Sequence, residues 1–269
     1  MTMPSTCLIL GGKGFVGRAI AEEALRRNYI VIVVDKEEYE AAKGTVCDLL
    51  INANGNSKKF LARENPRMEF DLSVRSVLHS LHDFSAKRYI HLSTMDVYPD
   101  VSDPKLNHEA VAIDTSRQSP YGFHKYLAEQ LVRHYAKDWL IFRMAGFVGQ
   151  GLWKNSIYDL LNHVPLRVHP DSEYQYLNTR DLANAVFEVA CKPVAKEIFN
   201  ITGQGVISLR DISSLIPDHR LDPTWNALPK ERYEMNVDKI SHLVRIPKTR
   251  DTVPAFIREW ITDPGRKSA

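Results

Sequence analysis

Thr6-Cys7-Leu8-Ile9-Leu10-Gly11-Gly12-Lys13-Gly14-Phe15-Val16-Gly17 is the stretch whose reading decides the fold. Five strand-forming residues run into glycines at 11, 14 and 17, and a segment rich in Ala, Glu and Arg follows from Phe15 to Asn28 with helical character. Strand, glycine turn and helix in that order make a phosphate site. The glycines let the backbone turn tightly, and the free N–H groups and dipole at the helix start favour negative charge. A glycine triplet alone is weak evidence. Here the next run, Ile30 to Asp35, is almost entirely β-branched and ends on a carboxylate at the position where a ribose-binding acid is expected.

Outward from this unit the alternation continues. Asp48 to Asn52 reads as a third strand, and Phe70, Val74, Val77, Leu78 and Leu81 follow helical spacing. Arg88 to Ser93 reads as a strand, Tyr121 to Tyr135 as a helix and Trp139 to Phe142 as another strand. Strands alternating with helices imply right-handed crossovers and a parallel sheet, so the fold class is α/β, a Rossmann-type doubly wound sheet. Beyond Gly149 prolines become more frequent and elements shorter, although Asp181 to Ala190 is a clean helix able to return to the sheet. The expected division is a dinucleotide-binding domain over 1–150, rejoined by about 176–192. A small mixed C-terminal annex, made of 151–175 and 193–269 and including Val253 to Trp260, would cap the carboxyl ends of the strands and bind substrate.

Composition narrows the class. The 269 residues are 44% hydrophobic and 25% charged, with 35 Lys and Arg against 33 Asp and Glu. A formal charge of +2 gives no reason to expect nucleic acid or an anionic membrane. The apolar runs are strand-sized and cannot span a bilayer. Cys7, Cys47 and Cys191 have no metal-ligand spacing and read as small buried hydrophobes, so no metal is expected. With a start unlike a signal peptide, the expected location is the cytoplasm.

The chemistry sits in Tyr121-Gly122-Phe123-His124-Lys125 at the start of a helix. Four-residue spacing places phenol and ammonium on one face. A free tyrosine titrates near ~10, too high for a base at neutral pH. A neighbouring Lys⁺ and an oxidised nicotinamide both favour phenolate, so the pair is expected to have a lowered tyrosine pKa and to exchange a proton with a carbinol as hydride moves. Ser93 and Thr94 end a strand at the ligand-binding edge, where a hydroxyl can bond a substrate oxygen as charge develops.

These pieces resemble the extended short-chain dehydrogenase/reductase family of NAD-dependent epimerases and dehydratases. The resemblance rests on Gly11 to Gly17, Asp35, Ser93-Thr94-Met95-Asp96-Val97-Tyr98, and Tyr121 to Lys125 with Ala128-Glu129-Gln130. It continues through Phe142-Arg143, Gly149-Gln150-Gly151, Thr179 to Ala183 and Ile198 to Ile201, in family order over nearly the whole chain. It implies catalysis by Tyr121, Lys125 and Thr94, and cofactor binding by Gly11, Gly14, Phe15, Val16, Gly17, Asp35, Lys36, Ala53 and Lys125. Ser93, Asp96, Lys58 (with Lys59) and Asn155 are the implied substrate contacts. The cofactor is expected to be NAD, because Asp35 would bond both ribose hydroxyls and repel a 2′-phosphate; Lys36 pulls the other way and keeps NADP open.

The chain also departs from the family. The segment between Asp35 and Asp48 is short, so a strand-helix stretch is trimmed, and Ser73 stands where an asparagine is common. Met95 takes the place of the first of two dehydratase acids, which argues against 4,6-dehydration. Tyr174-Gln175 replaces the Arg-Asp that often holds a nucleotide diphosphate. The resulting expectation is an epimerase or ketoreductase acting on a hydroxyl or ketone of a sugar or nucleotide-sugar, with a homodimer as the assembly considered. The competing readings are a non-catalytic dinucleotide-binding regulator or scaffold, which would tend to lose the Tyr/Lys pair retained here, and an RNA-associated protein, which the near-neutral charge does not support.

Overall fold

The computed structural model describes residues 5–263. Strand β1 (Thr6–Leu10) leads through the glycine turn into α1 (Phe15–Arg26), and β2 (Ile30–Val34) is separated from β3 (Val46–Asn52) by only the single turn α2 (Tyr39–Ala42). Next come α3 (Leu61–Glu64), α4 (Pro66–Phe70), a π-helical turn at Asp71–Arg75 and α5 (Ser76–Asp83), then β4 (Ser85–Thr94) and a 3₁₀ turn at Met95–Val97. Helix α6 (Pro120–Tyr135) and β5 (Trp139–Met144) follow, then β6 (Gly146–Val148), α7 (Ser156–Leu161), β7 (Glu173–Tyr174), β8 (Tyr176–Asn178) and α8 (Thr179–Ala190). The chain continues through β9 (Glu197–Ile201), β10 (Ile207–Ser208), α9 (Leu209–Ser213), β11 (Arg232–Tyr233), α10 (Asp238–Ser241) and α11 (Thr249–Thr262).

Six strands form one sheet in the order β2-β1-β3-β4-β5-β9, and every pairing in it is parallel. This is the doubly wound order with its outermost strand missing beyond β2, which agrees with the short Asp35–Asp48 segment. Helices α1 and α8 cover one face, with Ile9, Ile51, Leu92, Phe142 and Phe199 beneath them. Helices α5 and α6 cover the other, over Leu8, Leu50, Tyr89 and Ile141. Phe142 and Phe199 are wholly buried, their rings 5.8 Å apart, and each such burial contributes roughly 1.5–3 kcal/mol.

Helices α7, α9 and α11 gather around a separate apolar core of Val148, Ile157, Leu160, Leu209 and Phe256, beside a two-stranded pair β6-β8 and a three-stranded sheet β10-β7-β11. The expected annex over 193–269 needs correction. Strand β9 pairs with β5 inside the main sheet, and Val237, Ile240, Val244 and Ile246 pack into the main core. The chain therefore crosses between the two cores again after residue 192.

Several boundaries also move. The first helix stops at Arg26, because Asn28 takes a left-handed φ of 62° and ends it. The stretch around Phe70 starts at Pro66, where Asn65 caps α4 by accepting from Met68 N at 3.1 Å, and the π turn interrupts it. Cys7 and Cys47 are buried as read, but Cys191 is exposed just beyond α8. Among the described residues no helix is long and apolar enough to cross a membrane, and no cluster of three or more His, Cys, Asp or Glu could hold a metal.

Candidate active site

The glycine loop is built for close approach. A Cβ on Gly17 would lie 2.0 Å from the carbonyl oxygen of Gly11, so only glycine lets α1 start against the turn. Gly14 is the first half-helical residue of α1 and is extended, with no side chain capping the helix. The first N–H groups therefore face the sheet edge without a side-chain acceptor of their own. Ala53 N donates to Leu10 O at 2.9 Å and holds the end of β3 beside the loop. Phe15 and Val16 are half-buried against the main core.

Asp35, at the end of β2, accepts from Lys13 N at 3.2 Å, and its own N–H donates to Glu38 Oε2 at 3.1 Å. Glu38 also pairs with the Lys13 ammonium. Glu38 was not among the sequence candidates; it adds a second acid beside Asp35, whereas Lys36 is exposed. A cradle that a Cβ would fill, an uncapped helix start and a strand-end acid together fit a dinucleotide.

The Tyr/Lys pair lies where β3 and β4 end. Ser119 caps α6 by accepting from Gly122 N at 3.0 Å, with Pro120 in the first turn. Gly122 lets this helix press on the turn after β4, since a Cβ there would stand 2.0 Å from Asp96 O. Tyr121 is 6% exposed and Lys125 4% exposed. The Tyr121 hydroxyl donates to Asn56 O at 2.9 Å, and Lys125 Nζ lies 2.9 Å from where a Cβ on Gly55 would sit. Phenol and ammonium thus converge on one spot, the segment that follows β3.

The expected lowering of the tyrosine pKa is reversed in the protein by itself. Burial pushes the phenol up, and the carboxylates of Asp96 and Glu69 add to the rise. Burial likewise lowers Lys125, opposed by Glu69, Glu129 and Asp96.

Thr94 and Ser93 face opposite ways, as adjacent strand residues must. Thr94 Oγ1 donates to Asp96 Oδ2 at 2.8 Å on the cleft side. Ser93 is buried and donates to Glu129 Oε1 at 2.6 Å, within a pair in which Arg143 Nη2 meets Glu129 Oε2 at 2.7 Å. Ser93, expected to contact substrate, is therefore committed to the core. Asn155 is corrected in the same way: it caps α7 by accepting from Tyr158 N at 2.9 Å and donates to Phe147 O at 2.9 Å. Asp96 lies in the cleft, where its Oδ1 takes Lys59 Nζ at 2.5 Å, and Lys58 is exposed on the same segment.

Sequence reasoning passed over several neighbours of the pair. Glu69 is fully buried beneath α6, accepting from the Ser73 hydroxyl and touching His124 Nδ1. Ser73, the asparagine replacement, thus sits buried inside the π turn that packs against α6. His91 is fully buried with neither ring nitrogen bonded among the described residues, and burial, with Lys125 nearby, brings its pKa down to about 3. His124 stands inside the Tyr-to-Lys motif and was the one available signal for Glu69; nothing local marked His91.

Fold and site together define a dinucleotide-binding α/β protein with a Tyr/Lys pair at the carboxyl edge of its sheet. Residues 7–202 match the model of the NAD dependent epimerase/dehydratase family, and the chain belongs to that family. No curated protein matches the sequence. Among solved structures it is similar to a UDP-galactose 4-epimerase, with 19% identity over 96% of this chain and 99% of that one, at a TM-score of 0.76. It is similar also to MoeE5 in complex with UDP-glucuronic acid and NAD, with 15% identity over 98% and 100% of the two chains and a TM-score of 0.78. A dTDP-glucose 4,6-dehydratase from Bacillus anthracis str. Ames in complex with NAD shares 15% identity over 97% and 98%, at a TM-score of 0.74. At these identities the likeness is one of fold.

Proposed function

We propose that the chain is an NAD-dependent epimerase or ketoreductase acting on a hydroxyl or ketone of a sugar or nucleotide-sugar. The observation that carries this reading is the convergence of Tyr121 Oη and Lys125 Nζ on residues 55 and 56, beside the glycine loop that backs onto Ala53 and Asn54. Gly11, Gly14 and Gly17 would hold the pyrophosphate at the start of α1 and Asp35 the adenine-side ribose, with Ala53 beneath the cofactor. NAD, when bound, accepts or returns hydride.

Tyr121 takes the proton of the substrate hydroxyl and gives it back in the reverse step. The buried ammonium of Lys125 has no hydrogen bond among the described residues and would bond the nicotinamide-side ribose. Both its charge and that of an oxidised nicotinamide oppose the upward push that burial gives the phenol. Thr94, on the cleft side, would bond the substrate oxygen. Met95 is buried in a small apolar cluster with Val97, Tyr98 and Met235, which supports the reading against 4,6-dehydration: one of the two acids is replaced by a packing residue. The chemistry of the similar solved structures gives the substrate class its support, and an epimerase and a reductase would share this site.

The test is to incubate the protein with NAD⁺ and UDP-glucose, UDP-galactose or UDP-glucuronic acid, following nicotinamide absorbance and the sugar products by NMR. Tyr121→Phe should keep NAD⁺ binding and lose roughly 10²–10⁴-fold in turnover, the usual contribution of a positioned acid/base. Near-normal turnover in that variant would end the proposal.

A further inference from the structure

Strand β2 is an outer edge of the main sheet. Ile30 N–H donates to Ser5 O at 3.0 Å and Val34 O accepts from Gly11 N at 3.0 Å, so the even-numbered peptide groups of the strand face β1. Successive peptide groups of a strand point to alternate edges, and those of Val31 and Val33 therefore point outward. The ends of this edge are closed from within the chain. Tyr29 N–H donates to Ala24 O at 3.0 Å, and Asp35 N–H to Glu38 Oε2 at 3.1 Å. Between them, no described residue bonds the outward N–H or C=O of Val31 or Val33.

The opposite edge of the same sheet is occupied. Along β9, Asn200 N–H donates to Glu109 Oε1 at 2.7 Å and Ile198 O accepts from Lys239 Nζ at 2.8 Å. Edge strands are commonly blunted with charge, proline, a bulge or a covering element. Ile30-Val31-Ile32-Val33-Val34 has no charge and no proline, and no residue in it is left-handed. Its two faces are already packed, Val31 against the core beneath α1 and α8, Ile32 and Val34 against that beneath α5 and α6. What lies open is the edge, with Ile30 51% exposed at its start.

The charges at the two ends indicate what fits. Arg26 and Arg27 precede β2 and share one carboxylate, Glu23, which leaves an excess of positive charge. Asp35, Glu37 and Glu38 follow it against Lys36, with Lys13 alongside. The side chains of Arg26 and Glu37 are 64% and 82% exposed. A second β2 laid antiparallel brings the basic end of each copy to the acidic end of the other, whereas a parallel one sets like ends together.

We propose that β2 pairs edge to edge with β2 of a second copy, antiparallel about a twofold axis at Ile32, and joins the two six-stranded sheets into one. Val31 of each copy then lies opposite Val33 of the other, and each such pair exchanges both of its N–H···O bonds. Ile32 meets Ile32 of the second copy at the axis as the close, non-hydrogen-bonded pair, and Ile30 lies opposite Val34. All these pairs are β-branched, which suits packing across strands. The twofold axis closes the assembly at two chains. The proposal is independent of the enzyme reading, since it uses neither the Tyr/Lys pair nor the glycine loop.

The test is sedimentation of the full chain from about 1 μM to about 1 mM, the range in which a small interface associates, together with hydrogen exchange of its backbone amides. The chain should pass from one copy to two as concentration rises. Over the same range the Val31 and Val33 amides should gain at least ~10-fold in protection, while the Ile32 amide, which faces β1, is protected throughout. Val33→Pro deletes an N–H that β1 does not use, at an edge position where proline is tolerated. It should weaken the dimer by at least about 10-fold with the melting temperature held. Glu37→Arg should weaken it by roughly threefold, the effect of an exposed charge pair. A chain that remains single at about 1 mM overturns the proposal. A dimer whose Val31 and Val33 amides exchange independently of concentration overturns it too, because the copies then meet elsewhere, as on α5 and α6. A dimer left unchanged or tightened by Glu37→Arg overturns the antiparallel arrangement. If Val33→Pro fails to fold, exchange in the wild type decides alone.

Discussion

Replacing Gly122 by alanine adds a single methyl group where α6 presses on the turn after β4. That carbon would stand 2.0 Å from Asp96 O and 3.3 Å from Ser119 Oγ, where real contacts essentially never fall below 3.0 Å. Either the first turn of α6 or the 3₁₀ turn at Met95–Val97 must retreat by about 1 Å, to bring the 2.0 Å approach to Asp96 O out to 3.0 Å. Tyr121 is the adjacent residue and Lys125 lies one turn on, so the displacement falls on the Tyr/Lys pair. An ångström of misplacement costs on the order of 10²-fold in rate. Overpacking costs roughly 1–3 kcal/mol, and the better helix propensity of alanine returns about 1 kcal/mol. The net loss of ~0–2 kcal/mol lowers Tm by at most about 8 °C. Calorimetry, NAD⁺ titration and turnover on the substrate found for the wild type check this together. NAD⁺ affinity set by the glycine loop and Asp35 should hold while turnover falls. Turnover within about twofold of wild type at an unchanged or raised Tm would show that α6 does not press on the Asp96 turn, and the reasoning would be refuted.

Asp35→Ala should narrow the preference for NAD⁺ over NADP⁺ without abolishing it, because Glu38 remains beside the loop and contacts Lys13; tighter NADP⁺ than NAD⁺ binding by the wild type would show that Lys36 governs the choice. His91 gives a pH dependence of stability. Its folded pKa is brought down to about 3 from 6.5, so between those values the unfolded chain takes up a proton that the folded chain refuses. Its stabilising contribution is complete above pH 6.5 and is lost as pH falls, by up to about 1.4 kcal/mol per unit. His91→Leu should flatten the fall of Tm between pH 7 and pH 5, and an unaltered slope would sink this account.

The sequence alone determined the order of the main-sheet elements up to β5 and where the glycine loop and the Tyr/Lys spacing fall on them. Five β-branched or apolar residues before Gly11, a helical pattern after Gly14 and a carboxylate closing the next strand are local signals, each readable within a few residues. The four-residue spacing of Tyr121 and Lys125 places them on one helical face whatever surrounds them. Only the tertiary structure decided which neighbours serve the site. Strand alternation says that Ser93 and Thr94 point apart, but pairing with β5 and the packing of α6 decide that Ser93 meets Glu129 and Thr94 the cleft. Asn155 looks like any polar residue near a pocket until α7 begins beside it and claims its side chain as a cap. Strand β9 is as long as β1, but its partner lies far away in sequence, and its place beside β5 comes from the crossover through α8. The contacts of Asn56 and Ser57 are the furthest from view, since Lys154 meets Ser57 across 97 residues and Tyr121 meets Asn56 across 65. Periodicity and motif spacing report on chain neighbours, whereas these contacts exist because parallel strands deliver their following loops to one edge, where residues remote in sequence meet.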